Sequence, residues 1–451
     1  MEEEGYIADF NGIEKPGDYF HRLRDEIQNY NEKFHAFNFI PEKLEEGFPF
    51  SVKDNICVKG VETTASSRIL SGYLPPFDAT VVRRVKEKGF SFIGKTNMDE
   101  FGFGSFGINT DISARNPFDE DRVAGGSSSG AAVATALIKY HIAIAESTGG
   151  SISNPASFCG VVGFTPTYGA VSRYGLIDYA NSLDKIGLMA RSVKDIEFVF
   201  DIMKGKDEHD STSVDRKIEN KKSRKITVID EMIEGVDEDI KRSFDSLLGK
   251  LETQGYKISH ISLKEIGISG PVYYIISMAE ASTNLAKFSG FKYGLKVEDF
   301  SLDYNTFFTN ARDAFGEEAK RRIILGTFVR AASVRARYYQ KALSLRALLI
   351  RKMREILKDS YILSPTMPIK APKIKDVEKL TPVQNYMLDI LTIPPNLCGF
   401  PHISFPYDYI DGLPIGAQVI TDHFNDKALF SFVEDWENNF TYKFKYNLGE
   451  I

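Results

Sequence analysis

Lys53, Ser127 and Ser151 are the residues whose types and settings suit a hydrolytic site. Ser151 closes STGGS (147–151), inside the run AIAESTGGSISNPASFCGVVGFTPTYGAVSRYG (143–175). That run is crowded with Gly, Ser and Thr, yet apolar residues flank it. A flexible linker would carry polar flanks. A serine nucleophile needs a base to take its proton and donors to hold the developing oxyanion. Gly149 and Gly150 let the backbone turn sharply, so that N–H groups from Thr148 to Ser151 can converge beside the hydroxyl. On local pattern alone, the same glycines would serve equally well to pass a strand into a crowded loop.

The base is the harder assignment. None of the seven histidines has a recognisable catalytic setting, and His141, the nearest, heads a strand and reads as structural. A lysine can do the work where burial and neighbours favour its neutral form. FPFSVKDN (48–55) sets Lys53 at the end of an apolar strand, where α/β sheets carry their active sites. Taken bare, such a lysine is also a solvated charge. GGSSSG (125–130) supplies Ser127 as a relay between base and nucleophile.

Other motifs fall away. GFGSFG (102–107) spells G-x-G-x-x-G but neither follows a strand directly nor opens a helix, as a dinucleotide site requires. GGSSSG lacks the Lys of a phosphate-binding loop. No C-x-x-C or H-x-x-x-H spacing occurs, so no metal site is readable.

The elements that must position these residues alternate between strand and helix. Helices are expected at 16–34, at 78–89 with Asp78 as N-cap and Gly89 as stop, and at 129–140. Further helices fall at 193–203 behind Ser192 and Asp195, near 237–253, and at 426–440. Strands are expected at 48–52, 90–94, 141–145, 225–230, 256–263, 361–368 and 414–420. The stretch 95–125 reads as loop, 204–224 as an exposed polar loop, and 265–358 as mostly helical. This alternation is that of an α/β protein with a mixed sheet covered by helices.

Length alone allows about three domains, but no composition shift divides the 451 residues, and one domain over 1–451 is expected. With 43% hydrophobic and 26% charged residues, the chain can bury a large core. A net charge of −6 gives no bulk attraction to nucleic acid. Three scattered cysteines fit a reducing cytosol. The acidic start has no signal-peptide core and no apolar run reaches spanning length, so a cytoplasmic protein without membrane contact is expected.

VKDN (52–55), GGSSSG and TGGSISNPASFCGVVGFTPTYG (148–169), in this order and with 24 residues from Ser127 to Ser151, resemble the amidase signature family. The likeness runs from about residue 16 to 440. It implies that family's α/β fold, with a large central mixed sheet and helices on both faces. It also implies a Ser–cis-Ser–Lys triad that hydrolyses carboxamides. Ser151 matches the nucleophile, Ser127 the bridging cis-serine and Lys53 the base. Backbone N–H groups of Thr148, Gly149, Gly150 and Ser151 would form the oxyanion hole.

GKTNMDEFGFGS (94–105), AEASTNLAKFSGFKYG (279–294), AKRRIILGTF (319–328) and MLDILTIPPNLCGFP (387–401) look like the family's glutaminase branch, which serves tRNA-dependent amidotransferases. The resemblance then implies glutamine as substrate. Arg322 would hold its α-carboxylate, Asp389 its α-ammonium, and Tyr273 would wall the pocket. It implies a heterotrimer with subunits B and C, tRNA contacted mainly through the partner, and ATP and Mg there. This chain itself would hold neither cofactor nor metal. A free-standing amidase and a catalytically silent scaffold are the competing readings. The chain departs from the family's DTGGSIR and GGSSGG, with Ser147, Ser153 and Ser129 in place of Asp, Arg and Gly. Losing an Asp and an Arg together leaves no orphan charge.

Overall fold

The computed structural model describes residues 16–439. The acidic N-terminal stretch and Phe440, the last residue of the expected final helix, lie outside them. Eleven strands form one mixed sheet, and a two-stranded hairpin stands apart. In chain order they are β1 (Phe37–Phe39), β2 (Phe48–Lys53), β3 (Phe90–Thr96), the hairpin pair β4 (Arg115–Asn116) and β5 (Asp119–Val123), and β6 (Ile142–Ser147). There follow β7 (Val162–Thr165), β8 (Lys185–Ala190), β9 (Lys225–Ile229), β10 (Lys257–Ile261), β11 (Tyr361–Pro365), β12 (His402–Ile410) and β13 (Leu413–Ile420). Across the sheet the order is β1-β3-β2-β6-β8-β7-β12-β13-β11-β9-β10. The α/β fold with a mixed central sheet is as the sequence reads.

The centre of the sheet explains where chemistry can sit. β2 lies between β3 and β6 and runs parallel to both. Every residue of β2 and of β6 is buried, as expected for parallel strands covered on both faces. Their carboxyl ends therefore carry Lys53 and the Glu146–Ser147 pair to one edge. The Ser129–Leu137 helix, SGAAVATAL, is buried on all sides and packs against this part of the sheet. Its small residues allow the approach. A Cβ on Gly130 would run into the Ala36 carbonyl oxygen and come within 2.5 Å of Asn97 N.

Further along, the helix Ser269–Asn284 packs against both Glu317–Arg330 and Lys341–Leu357, and the three fill half of the expected helical region. They carry Tyr273 and Arg322.

Several boundaries differ from expectation, each for a local reason. The 78–89 helix is Thr80–Lys86 with Ala79 at its N-cap. Asp78 instead accepts from the Lys59 N–H at 2.8 Å and pairs with Lys86. Gly89 does end the segment, at φ +81°. The 95–125 loop contains the β4–β5 hairpin. The sequence reading passed over β7, β8 and β12, short runs broken by Gly or Pro, which weaken a strand signal. Pro406 sits where the β12–β13 register shifts, a place that tolerates a missing N–H. The 204–224 segment is not uniformly exposed: Asp207, Asp210 and Ser213 are buried. Asp207 accepts from the Thr80 and Ser172 hydroxyls and so ties this segment to the core.

Candidate active site

Lys53 is fully buried, and its Nζ has three acceptors around it. Ser127 Oγ lies at 2.8 Å, Glu146 Oε2 at 2.9 Å and the Glu146 carbonyl at 3.0 Å. Ser127 follows the cis Gly126–Ser127 peptide bond. Its neighbour Ser128 starts the buried helix, donating its N–H to the Ser151 carbonyl at 3.3 Å and its hydroxyl to the Glu146 carbonyl at 3.1 Å. The GGSSSG segment thus sits between Lys53 and the STGGS loop, and this main-chain bond ties the two serine segments together. Ser151 itself is 6% exposed, the only one of the three expected triad members with accessible surface.

The STGGS loop leaves β6 and enters the Ser153–Phe158 helix, with Asn154 N–H donating to the Gly150 carbonyl at 2.8 Å. Its two glycines are required by close neighbours. A Cβ on Gly149 would lie 2.8 Å from the Tyr273 hydroxyl, and one on Gly150 would meet Thr392 and lie 3.3 Å from Asp389 Oδ1. Tyr273 and Asp389, far apart in sequence, therefore flank the loop. Asn396 donates to the Gly149 carbonyl and fixes the loop from behind.

Asp389 is buried and accepts from the Ser105 hydroxyl and from Asn154 Nδ2 at 3.1 Å. Burial pushes its carboxyl up to about 6, against the pull of those two donors and of Arg322. Arg322 is buried among the rings of Phe103, Tyr179, Tyr274 and Tyr386. Its Nε donates to Glu318 Oε1 at 2.8 Å, and one terminal nitrogen donates to the Tyr179 hydroxyl. Burial pushes the Glu318 carboxyl up, but Arg322 and the Tyr386 hydroxyl outweigh it and hold the group below the ordinary range. The bare alternative for Arg322, a solvated helix face, is excluded by its burial. Arg321, whose side chain is 39% exposed, pairs with the same Glu318.

Some participants have no counterpart in the sequence reading: Glu146, Asp184, Glu318, Tyr179, Ser105 and Asn154. A signal existed for two of them. Glu146 is a carboxylate in the otherwise apolar run AIAE, and Glu318 stands four residues before Arg322, the spacing of a helical ion pair.

The departures from the family pattern fall in buried places. Ser147 donates to Asn396 Oδ1 at 3.4 Å, while the hydroxyls of Ser153 and Ser129 have no hydrogen-bond partner. His141 bonds Ser51 Oγ at 2.9 Å and Thr135 Oγ1 at 3.3 Å, at the amino end of β6. Burial pushes it down to about 3, as suits a neutral structural histidine. The G-x-G-x-x-G stretch begins on the last residue of a 3-10 turn, Glu100–Gly102, and opens no helix. Among the described residues no cluster of three or more His, Cys, Asp or Glu could hold a metal ion. No helix among them is long and apolar enough to cross a membrane.

Comparison with known proteins agrees with this geometry. The amidase family model matches residues 31–430. The chain is 40% identical over 445 residues to the glutamyl-tRNA(Gln) amidotransferase A subunit of Pseudothermotoga lettingae, covering 94% of each. It is 39% identical over 469 residues to that of Sulfolobus acidocaldarius, covering 97% of each. The crystal structure of the glutamyl-tRNA(Gln) amidotransferase A subunit from Thermotoga maritima superposes with a TM-score of 0.81 at 36% identity, over 96% of this chain and 94% of that one. A crystal structure of an amidase superposes with a TM-score of 0.79 at 25% identity, over 96% and 98%.

Proposed function

The chain belongs to the amidase family, and from that premise we propose that it is the glutaminase subunit of a tRNA-dependent amidotransferase. Lys53, as the neutral amine, accepts a proton from Ser127 while Ser127 accepts one from Ser151. Ser151 Oγ attacks the glutamine side-chain carbonyl, and the C–O bond forms as the carbonyl π pair moves to oxygen. The N–H groups from Thr148 to Ser151 hold that oxyanion. The relay returns the proton to the leaving nitrogen, so ammonia departs and a glutamyl ester remains on Ser151. Water then hydrolyses the ester by the same relay run in the opposite sense.

Substrate recognition follows from charge. Glutamine presents a carboxylate and an ammonium, and the pocket offers Arg322 and Asp389 to meet them, with Tyr273 as wall. The ammonia passes to partner subunits B and C, where ATP and Mg activate glutamyl- or aspartyl-tRNA for amidation. Those subunits carry most of the tRNA contact, in the cytoplasm.

The observation that carries this reading is the 2.8 Å contact of Lys53 Nζ with Ser127 Oγ, beneath a loop whose glycines touch Tyr273 and approach Asp389. The test uses the chain with and without co-expressed partner subunits. Ammonia release from glutamine, with an electrophilic glutamine analogue mapped by mass to Ser151, supports it. Rapid turnover of simple amides without partners and without preference for glutamine favours the free-standing amidase. Absence of any adduct in an amidation-competent complex favours the scaffold.

A further inference from the structure

The buried carboxylate beside Lys53 belongs to no part of the triad. Glu146 Oε2 takes Lys53 Nζ at 2.9 Å and Asn55 Nδ2 at 3.1 Å, while Oε1 stands 2.7 Å from Thr148 Oγ1. Thr148 Oγ1 is also 2.8 Å from Asp184 Oδ1. A hydroxyl has one proton and can donate to only one of two carboxyl oxygens. Two ionised carboxylates around it would leave one oxygen facing a lone pair at hydrogen-bond distance. Glu146 and Asp184 therefore hold one proton between them.

Asp184 also accepts from the Tyr179 and Ala180 N–H groups, and on balance the proton resides there. Burial and the neighbouring Glu146 charge push the Asp184 carboxyl well above the ordinary range. Asp184 then donates to Thr148, and Thr148 donates to Glu146. Glu146 receives three donors, from Lys53, Asn55 and Thr148, so both of its oxygens are held in place. The other charged or titratable neighbours are few. Asp99 acts on Lys53 and Arg173 on Asp184, and burial pushes the Asp99 carboxyl up, which favours its neutral form. Gly102 lies beside both groups: a Cβ there would stand in ordinary contact, 3.5 Å from Ser127 Oγ and 3.6 Å from Glu146 Oε2.

We infer that Glu146 is a fourth member of the relay, a positioning residue that orients the Lys53 amine and stabilises its ammonium as the proton arrives from Ser127. The inference rests on Lys53 being the base. Its logic parallels the carboxylate behind a catalytic histidine, which orients the base and steadies the cation that forms. A carboxylate at hydrogen-bond distance stabilises an ammonium more than an amine. It also makes that amine a stronger acceptor once formed. The two effects oppose each other, and their combination is what a merely structural carboxylate would not produce.

The experiment is the pH profile of Ser151 phosphonylation by a fluorophosphonate, with ammonia release from glutamine as a parallel readout. In the labelling step the Ser151 Oγ–P bond forms and the P–F bond breaks. Fluoride leaves, and the Ser151 proton moves to Ser127 as the Ser127 proton moves to Lys53. Glu146→Gln keeps an acceptor near Lys53 and removes the charge. Its rising limb is expected to move to lower pH by about 1–3 units, while the plateau rate falls about tenfold or more. Glu146→Asp, which withdraws the charge by one methylene, should move the limb the same way by less. Should Glu146→Gln fail to fold, that smaller shift still decides the matter. Asp184→Asn, neutral in place of neutral, should leave the limb where it is.

A limb that stays put in both Glu146 variants, or moves to higher pH, overturns the inference. So does an Asp184→Asn limb that moves as far as that of Glu146→Gln. Failure of the underlying reading looks different: the wild-type chain would then take no label on Ser151, or Lys53→Ala would keep the rising limb.

Discussion

Lys53 Nζ and Ser127 Oγ lie 2.8 Å apart at a point where neither side chain reaches solvent. A proton exchanged there has no competing water, so loss of either partner should not be replaced from bulk. Lys53→Ala and Ser127→Ala are each expected to lower glutamine-dependent ammonia release by about 10²–10⁴-fold, the usual range for a proton-transfer group. Ser151→Ala should abolish it, yet leave amidation driven by added ammonium in the assembled complex. Steady-state assays with glutamine and with ammonium chloride separate these outcomes. Near-wild-type glutamine rates for Lys53→Ala would remove the lysine from the base role.

Asp389 predicts a second pH effect, of definite sign. Its carboxyl is raised to about 6, chiefly by burial. The ionised form, which attracts the substrate ammonium, prevails above that pH and the neutral form below it. The glutamine KM should therefore rise as pH falls through about 6, with kcat less affected. Asp389→Asn should show a high KM with no such dependence. A wild-type KM that is flat from pH 5 to 8 would contradict the assignment.

Gly326 links the fold to the pocket. A Cβ there would run into the Met278 carbonyl and stand 2.8 Å from Ser282 Cβ, because the two long helices cross at this residue. Gly326→Ala must push the Glu317–Arg330 helix off its neighbour. Overpacking of this kind costs about 1–3 kcal/mol. Arg322 sits one turn earlier on the displaced helix. Lower thermal stability together with a raised glutamine KM is expected. Unchanged melting and unchanged KM would mean that the helices have slack.

What the sequence discloses about such a site depends on how local the signal is. Lys53 is legible because it ends a buried strand, and Ser151 because it lies just past one in a run of distinctive composition. Ser127 is legible only as one of three serines, and the family pattern selects it. Arg322 and Asp389 carry no local mark: a charged helix and an apolar loop of the same composition would read alike in solvent. Their burial arises from packing between segments far apart in sequence, such as the Glu317–Arg330 helix against Phe103 and Tyr386 against Glu318. Glu146 was visible as a charge in an apolar strand, but its partner could not be named until β2 and β6 were neighbours. β7, β8 and β12 escaped for the opposite reason. Each pairs with the next or the preceding strand in the chain, but Gly or Pro breaks its local signal.

Arg322 yields the most specific expectation about substrate choice. Its Nε is committed to Glu318 at 2.8 Å and one terminal nitrogen to the Tyr179 hydroxyl. Those bonds hold the guanidinium plane among aromatic rings, so its orientation is set before glutamine arrives. A planar fork held in this way can address a carboxylate with directional donors, whereas a lysine offers a point charge that cannot reproduce the fork. Arg322→Lys should therefore lose charge-assisted bonds worth about 1.5–3 kcal/mol each, or about 10- to 150-fold in kcat/KM for glutamine. A primary amide of the same length without the α-carboxylate never made those bonds. It should be a poor substrate for the wild-type chain, because the guanidinium is left unmatched, and Arg322→Lys should narrow the gap. The substitution also removes one of the three contacts of Glu318, the others being Arg321 and Tyr386, so the double variant Arg322→Lys with Glu318→Gln is needed to separate a lost substrate contact from a destabilised pocket. The comparison is kcat/KM for both amides in wild type, single and double variants. If the ratio of glutamine to the decarboxylated amide is the same in all three, Arg322 does not read the carboxylate, and the pocket is that of a general amidase.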